Sequence, residues 1–351
     1  MLLSFADLYR GIPLVIVKFW GGFYMHLSIE QSKSFDRICE IYGGPIEILP
    51  RDLAGERLGA VNRRLSYDPC QTLNCDGEPG GIITLPKHLA PTLIGDLHAR
   101  VDNLLTVLCE NHLIYRLEEG TAALVFLGDA VHEEEGEHLA DMDSSALIMD
   151  LIFTLMLRFP TQVFYLTGNH DSYSPEIVKE GVPQGPIWSQ FLASARGQSY
   201  EEEMARFYRL SPILALSEDF VACHAGPPLE KVSLQKIIDV NQHPRIRNDL
   251  TWNRVRSAVN PMGYRCADVK RFRRSLQIDP QLPFIVGHSP LSGRETIWEN
   301  LSGIPDHHLV YSAHTDKVGV IAKIAGKMAS RVYAVQVHMD PHRSEDSLLF
   351  H

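Results

Sequence analysis

The chain has 351 residues, 45% of them apolar and 22% charged, with a formal net charge of −10. Those proportions suit a globular protein with a substantial core and exclude a disordered or low-complexity chain. The acidic balance speaks against a nucleic-acid partner, since such binders present a basic face.

The N-terminus carries one apolar run, Gly11 to Val17, which Lys18 interrupts. That is far short of the roughly 20 apolar residues of a membrane helix, so no membrane partner is expected. Met1 to Ala6 lacks the basic residue of a signal peptide. We expect Met25 to be the native start and the first 24 residues to be an upstream extension. Residues 1–80 read as this extension plus an irregular, polar lead-in, 81–340 as the main domain and 341–351 as a tail. Within the lead-in, a helix is expected from Ile29 to Tyr42, ended by Gly43, Gly44 and Pro45. Asp76 to Gly81 reads as a turn-rich stretch.

From Gly81 short apolar runs alternate with helical periodicity, the pattern of an α/β fold. Strands are expected at Pro91–Ile94, Leu124–Leu127, Val163–Leu166, Phe220–Cys223, Phe284–Val286 and His308–Ser312. A hairpin should follow, Val318–Ile324 and Val332–Val337, turning near Gly326. Val101, Leu104, Leu105 and Leu108 have the spacing of a helix lying on a sheet. Ser145 to Leu157 reads as a second long helix, stopped before Pro160. Lys270, Arg271, Arg273 and Arg274 lie on a further amphipathic helix and are expected to form a solvated face. Six scattered cysteines lack the paired spacing of a zinc site and suit a reducing cytoplasm.

Five of the strands stop in short polar motifs: Gly95-Asp96-Leu97-His98, Gly128-Asp129, Gly168-Asn169-His170-Asp171, His224-Ala225-Gly226 and Gly287-His288-Ser289-Pro290. In open α/β sheets the carboxyl ends of strands line the ligand crevice. Glycine beside a ligand lets the backbone turn sharply and come close. One such motif is commonly a turn; five in order, each after an apolar strand, point to a site. Two divalent ions about 3.5–4 Å apart need oxygen and imidazole ligands and one bridging carboxylate. Asp96 and His98 can hold one ion, and Asn169, His224 and His288 the other. Asp129 is the natural bridge. Manganese, iron or zinc would suit such ligands.

These motifs resemble those of the calcineurin-like metallophosphoesterases, and most of all the phosphoprotein phosphatase branch. The likeness runs from about Thr92 to Val337. Gly95 to Ala99 is similar to Gly-Asp-x-His-Gly, Gly128 to Val131 to the start of Gly-Asp-x-Val-Asp-Arg-Gly, and Gly168 to Asp171 to Gly-Asn-His-Glu/Asp. Cys223 to Gly226 resembles His-Gly-Gly with its preceding residue, and Tyr311-Ser312-Ala313 falls where that branch has Ser-Ala-Pro-Asn-Tyr. The resemblance implies a four-layer sandwich, two central β-sheets flanked by helices, with the metals between the sheets. It implies that a metal-bridging hydroxide attacks phosphorus in line while His170 protonates the leaving oxygen as general acid, and that arginines hold the phosphate.

The chain departs from the family pattern at two places. His132 and Glu133 stand where the family has the Asp that orients the catalytic His and the Arg that holds phosphate. An acidic insertion follows: Glu133, Glu134, Glu135, Glu137, Asp141 and Asp143. Replacements are expected elsewhere: Asp141, Asp143 or Asp171 to orient His170, and Arg100, Arg254 or Arg265 to hold phosphate. Pro290 stands where many relatives have a second metal-binding His. That favours the phosphoprotein phosphatases and their relatives that hydrolyse dinucleotide polyphosphates. His314 is a further candidate substrate contact, while His307 and His308 read as solvent-facing or as a strand start. The leading expectation is a phosphomonoesterase, a serine/threonine protein phosphatase among the options, acting on a phosphorylated small molecule or phosphoprotein. A nucleotide or dinucleotide polyphosphate hydrolase and a metal-holding but catalytically weak binding protein remain alternatives. The sequence leaves the oligomeric state open.

Overall fold

The computed structural model describes residues 14–16, 24–133, 138–291 and 293–338. Glu134, Glu135 and Glu137, the expected tail at 341–351, and most of the expected N-terminal extension lie outside those residues.

Two β-sheets form the centre. One has five strands in the order Lys327–Ala334, Lys317–Ile324, Ala90–Ile94, Ala122–Phe126 and Val163–Tyr165. The other has seven, in the order Ile297–Trp298, His307–Val310, Phe284–Val286, Val221–Cys223, Leu214–Leu216, Pro79–Thr84 and Gln71–Leu73. Side chains alternate between the faces of a strand, and here the alternation sorts residues into three cores. Ala123 and Val125 face the space between the sheets, where they join Ala222, Ile285 and Val310. Ala122, Leu124 and Phe126 face outward and pack under helices Val101–Cys109 and Asp143–Arg158. On the other side Val221, Cys223, Phe284 and Val286 pack against Ile246, Leu250, Val269 and Phe272. Those last four come from helices Pro244–Trp252 and Cys266–Ser275. The result is the expected four layers: helix, sheet, sheet, helix.

Register brings the strand ends level. Ile94 pairs beside Phe126 and Phe126 beside Tyr165 in parallel. The motifs that begin at Gly95, Gly128 and Gly168 therefore leave one sheet side by side. In the other sheet Ala222 lies beside Ile285 and Ile285 beside His308, again in parallel. His224, His288 and Tyr311 emerge together there.

Several expectations need correction. The stretch before residue 80 is not irregular. Besides the expected helix Ile29–Tyr42, closed at its start by a Ser28–Gln31 capping box, it forms helix Arg51–Leu65. Ala54, Leu58, Val61 and Leu65 of that helix are buried at helical spacing. Gly55, Gly59 and four arginines hide that stripe in the sequence. The boundary expected at residue 80 falls inside strand Pro79–Thr84. The late hairpin turns at Ala325 and Gly326, both with positive φ, as a two-residue hairpin turn demands. Its second strand is Lys327–Ala334, earlier than expected, because this exposed edge strand carries little apolar signal. Val337 instead pairs with Met25 in a small separate sheet. Arg273 is not part of a solvated face: it is 3% exposed and donates to the carbonyl oxygens of Pro305 and Asp306. Among the described residues no helix is long and apolar enough to cross a membrane.

One buried ion pair ties the helical layer together. Arg196 Nη1 and Nη2 donate to Asp150 Oδ1 and Oδ2, both at 2.6 Å. The Leu49 amide donates to Asp150 Oδ2 at 3.0 Å. Helices Asp143–Arg158 and Gln184–Arg196 and the approach to Arg51–Leu65 thus meet at one carboxylate. Asp150→Ala would leave a buried guanidinium uncompensated. We expect a loss of about 3–5 kcal/mol in urea unfolding; a loss below about 1 kcal/mol would show that the pair is dispensable.

Candidate metal and catalytic site

The site forms where both sheets end. Asp96 follows strand Ala90–Ile94 and bridges in parallel to Tyr311 of the other sheet. Ser312 fastens this junction. Its Oγ accepts from the Gly95 amide at 3.0 Å and donates to the Gly319 carbonyl at 2.7 Å, and its own amide donates to the Asp96 carbonyl at 3.1 Å. Both Asp96 carboxylate oxygens accept from the His288 amide, at 2.8 and 3.0 Å. The two sheets are therefore joined through a candidate ligand.

Glycines permit the close approach. A Cβ on Gly168 would lie 2.1 Å from Asp129 Oδ1, and one on Gly287 would lie 2.3 Å from Asp96 Oδ1. His98, Ala99, Asp129, His132 and His288 all have φ between 43° and 69°. That left-handed conformation is costly for residues with side chains and concentrates at functional sites.

Asp96, His98, Asp129, Asn169, His224 and His288 converge and are all buried. Two donor groups, Asp96–His98–Asp129 and Asp129–His224–His288, each bring their ligand atoms within 4.8 Å of one another, and Asp129 belongs to both. Asn169 Oδ1 lies 2.9 Å from His224 Nε2, and Asp129 Oδ2 lies 3.1 Å from it. Each imidazole commits one nitrogen to a main-chain carbonyl. His98 Nδ1 lies 3.0 Å from His132 O, His224 Nδ1 2.8 Å from Leu127 O, and His288 Nε2 3.2 Å from Trp252 O. A ring that donates one N–H presents its other nitrogen as a ligand. This mixed oxygen and imidazole set fits divalent metal.

The electrostatics are those of charges confined together. Burial, and then the neighbouring Asp129, push the Asp96 carboxyl up to about 6 despite His224. Burial opposes charge on His224, but Asp129 and Asp96 outweigh it and push the imidazole up to about 9. Burial would also raise Asp129, yet His224 and His170 hold it well below the usual carboxylate range.

His170 is half-buried beside the cage, its ring centroid 5.0 Å from that of His98. Its amide donates to Asp129 Oδ1 at 2.7 Å. Its Nδ1 faces His132 Nδ1 at 3.1 Å. The residue at the changed motif position therefore contacts His170 itself, where a replacement was expected from elsewhere. Asp171 has other duties: its carboxylate accepts from the Gly168 amide at 2.7 Å, the Asp129 amide at 3.2 Å and Tyr165 Oη at 2.7 Å. Burial, followed by Asp129, pushes the Asp171 carboxyl up to about 6.

The expected phosphate holders are scattered. Arg254 is exposed, and its charge is felt at the cage. It lowers the His288 imidazole, behind burial and His224 in effect. Arg100 is half-buried at the head of helix Val101–Cys109. Arg265 is exposed at the head of helix Cys266–Ser275, where its amide donates to Asp268. His314 lies in the next layer. Its Nε2 is 3.0 Å from Glu295 O, and its ring packs on Tyr311, which in turn neighbours His98. His307 starts strand His307–Val310, fully buried between Phe284 O and Tyr264 Oη. Sequence reasoning missed Tyr165 and the tethering role of Ser312. The only signal for His132 was its departure from the motif.

Two stacked sheets whose strand ends gather six buried candidate ligands, the shared carboxylate of Asp129 among them, form a site able to hold metal. The chain belongs to the calcineurin-like phosphoesterases, whose family model matches residues 91–317, and it is a metal-dependent phosphoric ester hydrolase. No curated protein matches it significantly. A protein serine/threonine phosphatase from Saccharomyces cerevisiae is similar in structure, with a TM-score of 0.62 at 14% identity over 90% of this chain and 98% of that one. A cold-active protein-tyrosine phosphatase of a psychrophilic Shewanella aligns with a TM-score of 0.48 at 12% identity, over 72% of this chain and 82% of that one. The first likeness establishes a shared fold.

Gly168→Ala tests the close packing at the bridge. Its methyl would displace Asp129 Oδ1, so we expect a folded protein with about 10–100-fold weaker manganese affinity by calorimetry. Undiminished affinity would mean that Asp129 tolerates displacement.

Proposed function

We propose that this chain hydrolyses phosphomonoesters at a centre for two divalent ions. The observation that carries this reading is the sharing of Asp129 between two ligand groups, with His170 beside them on the accessible side. Asp96 and His98 would hold one ion, Asn169, His224 and His288 the other, and Asp129 both. When bound, such a pair supplies an activated water and neutralises phosphate oxygens during in-line displacement. Manganese, iron and zinc all suit the donors.

The protein's own groups do the rest. His170 holds a proton for the leaving oxygen, which would otherwise depart as an unstable alkoxide. Its main-chain bond to Asp129 fixes the distance between acid and cage. Arg254 is our choice for phosphate binding, because its charge already reaches His288. A guanidinium can hold two phosphate oxygens at once. A phosphoserine or phosphothreonine protein fits this exposed arginine and half-buried acid. A nucleotide polyphosphate is the second reading, since Glu133 stands where the resemblance places a phosphate-holding arginine and its loss leaves the leaving group open. The free thiols of all six cysteines favour a reducing, cytoplasmic setting.

Asp129→Asn should nearly abolish turnover of an aryl phosphate in manganese buffer; unchanged turnover would sink the two-metal reading. Arg254→Ala should raise KM for the same substrate roughly tenfold or more, as loss of a charge-assisted contact does. An unaltered KM would remove Arg254 from the phosphate site. Phosphopeptide and diadenosine tetraphosphate, assayed side by side, separate the two substrate readings by kcat/KM.

A further inference from the structure

His132 stands where the resembled phosphatases place a carboxylate, and it is wholly buried. Three of its groups are engaged. Its amide donates to Ser145 Oγ at 2.9 Å, its carbonyl accepts from His98 Nδ1 at 3.0 Å, and its ring Nδ1 faces His170 Nδ1 at 3.1 Å. Trp188 meets the ring at 89°, centroids 6.3 Å apart. Trp188 is itself fixed by its bond to Tyr208 Oη at 3.0 Å. The imidazole therefore has little freedom to turn. Its Nε2 is buried with no hydrogen-bond partner among the described residues. Leaving a ring nitrogen unpaired costs free energy, so packing alone does not explain a histidine here.

We propose that His132 is the positioning residue for His170: a neutral imidazole replaces the carboxylate that orients the general acid. Two facing ring nitrogens form a hydrogen bond when one proton lies between them. With the His132 proton on Nε2, His132 Nδ1 accepts from His170 Nδ1–H, and the second proton of the His170 imidazolium sits on Nε2, the nitrogen on the far side of the ring. Giving that proton to the leaving oxygen leaves His170 a neutral imidazole still held by His132. Because the His132 carbonyl also fixes His98, one residue sets both the acid and a ligand of the cage.

This inference rests on His170 being the general acid, so the experiment separates the two. His132→Leu removes the ring nitrogen. His132→Asn keeps a polar atom close to the Nδ1 position and tolerates the positive φ of 69° at this residue. Turnover is measured on glycerol phosphate, whose leaving group needs a proton, and on dinitrophenyl phosphate, whose leaving group does not. His132→Leu should lower kcat on glycerol phosphate about 100-fold, with KM and dinitrophenyl phosphate turnover changed less than about threefold. His132→Asn should recover most of the loss, and manganese content should stay that of the parent. In the metal-free protein labelled with nitrogen-15 histidine, His132→Leu should shift the His170 Nδ1 resonance, identified by its disappearance in His170→Asn.

Equal losses on both substrates, or failure of His132→Asn to recover activity, would reduce His132 to a structural role and overturn the proposal. If His170→Asn shows the leaving-group pattern and His132→Leu does not, the positioning role falls and the general acid stands. If His170→Asn shows no such pattern, both fall. Should His132→Leu not fold, His132→Asn alone decides by the resonance: an unmoved His170 signal supports the pairing, and one shifted to the value of a solvated histidine overturns it.

Discussion

The site hangs on the conformation of Asp129. Its φ of 51° turns the main-chain carbonyl toward the first motif, where it accepts from the amides of Leu97 and His98, both at 3.0 Å. The same turn sends the carboxylate into the cage, where Oδ1 accepts from the His170 amide and Oδ2 meets His224. The Asp129 amide is held from behind by Asp171. One residue thus contacts three of the other polar motifs directly. A strained backbone persists only where its surroundings over-determine it, and here five neighbours do so.

The sheets supply that over-determination. Parallel pairing aligns the ends of Ala90–Ile94, Ala122–Phe126 and Val163–Tyr165, so that their loops are neighbours before any polar contact forms. Apolar side chains between the sheets hold the second set of strand ends opposite the first. The Asp96–His288 and Ser312–Asp96 bonds then close the seam. Burial of Asp96 and Asp129 is costly unless compensated. In the protein alone the compensation comes from His224 and main-chain amides; a metal ion is a further compensation that donors of this kind can accept.

Much of this was legible in the sequence, for identifiable reasons. Asp96, Asp129, Asn169, His224 and His288 each follow a short apolar strand with a glycine within two residues, and the ordered recurrence of that pattern five times marks them as candidate ligands. The long helix Asp143–Arg158 and the strands beneath it were legible because they are buried on nearly every side. Helix Arg51–Leu65 was not, since its apolar stripe is narrow and interrupted by glycines. Strand Lys327–Ala334 was not, since an edge strand owes its structure to the ladder rather than to its own side chains. The His132–His170 contact depends on a left-handed residue and on a loop 38 residues later. Local pattern holds no trace of either.

The imidazoles of the candidate cage are oriented by the backbone. His98, His224 and His288 are each fixed by a main-chain carbonyl, of His132, Leu127 and Trp252 respectively. Main-chain groups do not change when side chains are substituted. The side chain at 132 can therefore become a histidine without releasing His98, because the carbonyl that holds His98 is still there. The ring of His170, the proposed general acid, faces a side chain instead, that of His132. On the proposed roles, metal binding and proton donation are separable in this chain. The first is anchored in backbone geometry, and the second is open to re-engineering one side chain at a time.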